Sequence, residues 1–86
     1  MNCPNNLKDR VVNECATELE KEIRVVEVTR LDGVRLSLED SWVLVRASGT
    51  EPAVRITSEA TVIERAAKLF ETAMKLCETA VKEEIT

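Results

Sequence analysis

Arg46, Ser48, Gly49 and Thr50, with Arg55 a little further on, place two guanidinium groups, two hydroxyls and a bare backbone position in one short segment. A planar guanidinium engages two phosphate oxygens at once, with a direction that lysine's point charge does not impose. Ser48 and Thr50 add short hydroxyl donors, and Gly49 is expected to adopt a left-handed or tight conformation that brings backbone N–H groups close to an anion. Pro52 stiffens the exit. The chemistry this suits is phosphate recognition. Ser-Gly and Glu-Pro are also ordinary turn pairs, so the residues alone leave a plain turn as the other reading. Strand alternation alone does not decide whether Arg55 faces the same side as Arg46.

The same hydroxyls are poor candidates for nucleophiles. The chain has no histidine, and no lysine stands in the segment to activate Ser48 or Thr50. Hydrogen bonding is their expected role.

The segment needs rigid supports, and the flanking sequence provides them. Ser41-Trp42-Val43-Leu44-Val45 reads as a well-protected central strand leading in, and Val54-Arg55-Ile56-Thr57 as a strand leading out. Upstream, Val25-Val26-Glu27-Val28-Thr29 is β-branched, and Asp32-Gly33 marks a tight hairpin into Val34-Arg35-Leu36-Ser37-Leu38. There Val34, Leu36 and Leu38 alternate with Arg35 and Ser37, the pattern of a sheet covered on one face.

A helix is expected at each end. Pro4-Asn5-Asn6 supplies a breaker and a capping side chain, after which Leu7, Val11, Cys15 and Leu19 recur four apart, with Val12 beside them. Thr61 and Glu64 have the spacing of a capping box at the start of a long second helix. Its inner face is expected to carry Ile63, Ala67, Phe70, Met74, Cys77 and Val81, joined by Ala66, Ala73 and Ala80. Its outer face pairs Glu64 with Lys68, Glu71 with Lys75 and Glu78 with Lys82, each worth about 0.2–0.5 kcal/mol in an isolated helix. The fold class is therefore α+β: a helix, a four-stranded mainly antiparallel sheet and a second helix, in two layers.

Composition narrows the functions further. Eighty-six residues make one small domain spanning 1–86, near the size where stability is marginal. Twelve basic against sixteen acidic residues give a net charge of −4, which argues against a broad nucleic-acid or anionic-membrane surface. A focused phosphate site needs only local positive charge. No apolar run approaches the roughly 18 residues of a membrane span, and no signal peptide is expected, so the reading is cytoplasmic. Cys3, Cys15 and Cys77 show no CxxC pairing, and without histidine they suggest no metal site. Reduced thiols are expected, with Cys15 and Cys77 packed on helix faces and Cys3 exposed. Trp42 and Phe70 are expected to pack rather than to stack on bases.

Asp32-Gly33-Val34, then Trp42 through Pro52, then Val54-Arg55-Ile56-Thr57-Ser58-Glu59-Ala60 resemble the C-terminal domain of the alpha-D-phosphohexomutases, the family of phosphoglucomutase, phosphomannomutase and phosphoglucosamine mutase. The motifs cover roughly residues 24 to 60, and the flanking helices agree in type and place. The family commonly has proline where this chain has Ala47. The resemblance implies a TATA-binding-protein-like fold and the fourth domain of a larger enzyme that interconverts hexose 1-phosphate and 6-phosphate. It implies substrate-phosphate contacts from Arg46, Ser48, Gly49 and Thr50, supported by Arg55, with Glu51 orienting the loop. No cofactor is expected in this fragment. Magnesium is implied for the parent, on another domain beside a phosphoserine. The implied partners are a phosphosugar and the other domains, and the fragment alone is expected to be inactive. A free-standing phosphosugar sensor and a protein-interaction domain are the alternatives.

Overall fold

The computed structural model describes residues 1–85. After a 3-10 turn at Asn5–Leu7, the chain forms helix α1 (Lys8–Glu22), strands β1 (Glu27–Thr29), β2 (Val34–Ser37), β3 (Ser41–Ala47) and β4 (Val54–Ala60), and helix α2 (Ile63–Ile85). The strands form one sheet in the order β1-β2-β3-β4, every neighbouring pair antiparallel. The architecture is the expected α+β arrangement.

Period-two alternation orients the sheet. Val34 and Leu36 of β2, Val43 and Val45 of β3 and Val54 of β4 are buried on one face. They meet Val11, Val12, Cys15, Ala16 and Leu19 of α1 and Ala73, Cys77 and Ala80 of α2 in one core. A residue such as Leu36, fully buried here, contributes about 1.5–3 kcal/mol by leaving water. The opposite face carries Arg35, Trp42, Leu44, Arg46, Arg55 and Thr57 and has no covering layer among the described residues, because both helices lie on the first face.

Several local expectations change in the structure. β3 is central, yet its apolar run is not wholly enclosed: Ser41, Val43 and Val45 are buried while Trp42 and Leu44 are half-buried on the open face. There the Arg35 guanidinium covers the Trp42 ring at 4.3 Å, a cation–π contact that shields the indole. The hairpin is wider than Asp32-Gly33 suggested, because Thr29 pairs with Arg35 and residues 30–33 all lie in the connection. No asparagine side chain caps α1; the Leu7 N–H instead donates to the Pro4 carbonyl at 2.9 Å, closing the 3-10 turn. The second helix starts one residue beyond a cap at Thr61, with the Val62 carbonyl accepting from the Arg65 and Ala66 N–H groups.

The inner face of α2 is rotated from the expected stripe. Leu69, Ala73, Cys77 and Ala80 are buried, with Ala66, Met74, Leu76 and Val81 partly so, whereas Ala67 and Phe70 face outward and Ile63 is 80% exposed. Apolar residues on both sides of the seam made two stripes possible. Contact with α1 selects the one in which the small side chains of Ala73 and Cys77 sit opposite Cys15. Cys3 is also inside rather than exposed, at 1% accessibility. Its backbone N–H donates to the Pro52 carbonyl at 2.8 Å, and Asn2 bridges to Ala53, so the N-terminal residues lie along the start of β4 and carry Cys3 into the core.

Candidate anion-binding site

In the register of β3 and β4, Arg46 lies directly opposite Arg55, and Ala47 opposite Val54. Directly opposed residues share a face of the sheet, so both guanidinium groups rise from the open side. Arg46 and Ala47 belong to the end of β3 rather than to the loop, and the strand gives Arg46 a fixed base. Like charges in opposed positions repel, and each arginine has an acidic neighbour that offsets this. Arg46 Nη1 donates to Asp32 Oδ2 at 3.0 Å, and Arg55 Nη2 donates to Glu51 Oε1 at 2.7 Å. Both pairs are solvent-exposed, a class worth only about 0–1 kcal/mol. They are exchangeable partners.

The loop that follows is held by its own polar groups. Ser48 Oγ accepts from the N–H groups of Thr50 at 3.3 Å and Glu51 at 3.2 Å, and the side chain is buried. The Ser48 N–H donates to the Ala53 carbonyl at 2.9 Å, closing the loop's base. From the first turn of α1, Lys8 Nζ donates to the Ser48 carbonyl at 2.5 Å and the Glu51 carbonyl at 3.1 Å. Lys8 is the residue that sequence reasoning missed. Its signal was there: a cation in the first turn of a helix opposes the helix dipole and suggests a partner elsewhere.

Of the two glycines, Gly33 in the hairpin takes the left-handed conformation and Gly49 does not. Gly49 does not have positive φ, and a Cβ placed there meets nothing within 4 Å. Gly49 therefore leaves an open approach to the loop rather than relieving backbone strain. Gly33 has φ of 85°, and a Cβ there would lie 2.5 Å from the Val45 carbonyl oxygen and 2.9 Å from Cα and Cβ of Arg46. It is the glycine the backbone requires, and it lets the β1–β2 connection pass against the strand that carries Arg46.

An open recess brings these groups together, lined by Asp32, Arg46, Ala47, Ser48, Gly49, Thr50 and Arg55. All five residues singled out in the sequence contribute to its wall; Asp32 of the β1–β2 connection and Ala47 at the end of β3 are the additions. By contrast, the hollow between α1 and α2 is lined by Glu14, Glu18 and Glu83, a poor setting for an anion. Nearby, a hydrogen bond with Glu84 raises the Glu14 carboxyl above its ordinary range, while bonds from Glu14 and Arg10 hold Glu84 below its own. Among the described residues no group of three acidic, cysteine or histidine side chains could hold a metal ion, and no helix is long and apolar enough to cross a membrane.

Residues 5–76 match the family model described as phosphoglucomutase/phosphomannomutase, C-terminal domain. A probable phosphoglucosamine mutase of Methanothermobacter thermautotrophicus is 47% identical over 66 residues, covering 74% of this chain and 15% of the relative. A phosphopentomutase of Thermococcus kodakarensis is 41% identical over 66 residues, covering 73% and 15%. A phosphoglucosamine mutase of Methanococcus maripaludis is 47% identical over 60 residues, covering 70% and 13%. The chain thus spans about 15% of the length of the first of these relatives. It belongs to the family of phosphoglucomutase and phosphomannomutase C-terminal domains.

Proposed function

We propose that this domain grips the phosphate of a phosphosugar within a phosphohexomutase that interconverts 1- and 6-phosphates. The observation that carries the reading is the opposition of Arg46 and Arg55 on the open face beside Gly49 and Thr50. A phosphate dianion there would take bidentate contacts from guanidinium groups now paired with Asp32 and Glu51. It would also relieve the repulsion between them, at the cost of two weak surface pairs. Thr50 supplies a hydroxyl and Gly49 an unobstructed backbone. Ser48, turned into the loop, contributes by fixing that backbone, and Lys8 holds the loop from behind.

The grip is a positioning device. By holding the unreactive phosphate it presents the other end of the sugar to a phosphoserine on another domain, turning remote binding energy into orientation. Among the described residues no group of three acidic, cysteine or histidine side chains suits the magnesium that the family's chemistry implies, and the proposal assigns that ion to another domain of the parent. Reorientation of a bisphosphate intermediate favours a domain that hinges. Exposed Val62, Ile63 and Phe70 on and before α2 favour contact with neighbouring parts of a larger, cytoplasmic enzyme. The relatives include mutases of amino-hexose and pentose phosphates by name, and a grip on phosphate alone suits any of these.

The test is an amide NMR titration of the labelled domain with glucose 1-phosphate and with inorganic phosphate, beside Arg46→Ala. Saturable shifts centred on Gly49 and Thr50, absent in the variant, are expected. Equal shifts in the variant would refute the assignment. The isolated domain is expected to show no mutase turnover.

A further inference from the structure

Cys15 of α1 and Cys77 of α2 meet in the middle of the core, away from the anion site. Both are fully buried, and Cys77 Sγ lies 2.8 Å from Cys15 Sγ although 62 positions separate them in sequence. Cys15 Sγ also lies 3.5 Å from the Ala73 carbonyl, one turn before Cys77 on the same helix. The two sulphurs therefore face each other across the seam that joins the helices. A disulfide bond is about 2.05 Å long, so the atoms need to approach by only about 0.8 Å.

We propose that Cys15 and Cys77 are a cross-linking site, converted by a low-molecular-weight disulfide into an internal disulfide that fastens α1 to α2. One cysteine, as thiolate, attacks the oxidant's S–S bond and forms a mixed disulfide, releasing one small thiol. The second cysteine then attacks the protein sulphur of that mixed disulfide, forming the Cys15–Cys77 bond and releasing the second small thiol. Two protein thiols are oxidised, one external disulfide is reduced to two thiols, and the cysteine protons end on those products.

Access and ionisation make the site conditional. The contact with Cys77, and then burial, push the Cys15 thiol upward and keep it protonated. The closed fold reacts slowly for want of thiolate. Exchange proceeds when the helices part, during folding or local opening. Closure of a long loop restricts the unfolded chain, so the linked form is the more stable. Under reducing conditions the pair remains thiols, packed as ordinary core groups. Cys3 is the internal competitor: burial, and then the nearness of Cys77, push its thiol above the ordinary range and disfavour its thiolate as well.

The 86-residue chain is refolded from guanidinium chloride in a mixture of oxidised and reduced glutathione, freed of glutathione, then unfolded again in guanidinium chloride containing iodoacetamide so that every remaining thiol is reached. The expected product has one alkylated cysteine, Cys3, and a non-reducing peptide map joining the Cys15 and Cys77 peptides. Its Tm should exceed that of the reduced chain by on the order of ten degrees and return on reduction. A Cys3→Ala chain treated alike should cross-link to the same extent. Three alkylated thiols, a map joining Cys3 to either partner, or a linked product with lower Tm would each overturn the proposal.

Discussion

Gly33→Ala and Gly49→Ala add the same methyl group at two positions where the sequence suggests a tight turn, and only one of them needs glycine. At Gly33 the backbone has φ of 85°, where a left-handed L-residue costs about 1–2 kcal/mol. The new Cβ would also stand 2.5 Å from the Val45 carbonyl oxygen and 2.9 Å from Arg46 Cα and Cβ. All three atoms belong to a central strand, so the connection must move instead, for about a further 1–2 kcal/mol. The sum, about 2–4 kcal/mol, is a large fraction of the roughly 4–13 kcal/mol expected for a chain of this length. At about 4–8 °C per kcal/mol, the loss corresponds to a fall in Tm of at least about 8 °C. Gly49→Ala meets nothing within 4 Å and has no positive φ to violate, so its stability should hold or rise by up to about 1 kcal/mol as the unfolded chain loses freedom. Urea unfolding followed by circular dichroism measures both. Equal destabilisation by the two substitutions, or a larger loss at Gly49, would refute the assignment of conformational need to Gly33.

Three other outcomes follow from the same geometry. Lys8→Met removes donors to the Ser48 and Glu51 carbonyls and should cost about 1–2 kcal/mol, with faster amide exchange at residues 48–51 than elsewhere; uniform exchange changes would count against a bracing role. Asp32→Asn frees Arg46 from its anionic partner and should strengthen inorganic phosphate binding about two- to fivefold at low salt, read by NMR titration; weaker binding would place Asp32 among the groups that aid the anion. Alkaline pH should destabilise the fold, because Cys15 and Cys3 have thiols raised above their ordinary range. Their contribution is complete below the unfolded thiol pKa of about 8.5 and falls as pH rises above it, since the unfolded chain then releases protons that the folded one retains. For Cys15 the slope approaches about 1.4 kcal/mol per pH unit, and Cys15→Ala should flatten the stability profile above pH 9.

The sequence determined the elements and their chemistry. Local patterns suffice for that: the four-residue recurrence from Leu7 to Leu19 on α1, the alternation of Val34 and Leu36, and the clustering of Arg46, Ser48, Gly49, Thr50 and Arg55. Features that depend on the far side of a contact were decided by tertiary structure. Strand register, fixed by which face must be buried, placed Arg55 beside Arg46. Packing against α1 chose Leu69 rather than Phe70 for the inner face of α2. Close passage of the hairpin over β3 made Gly33, not Gly49, the required glycine. Lys8 reached a loop 40 positions away, and Cys15 met Cys77 across the core. Periodicity along one segment records which residues seek burial, but the partner a side chain meets is set by how separate segments fit together.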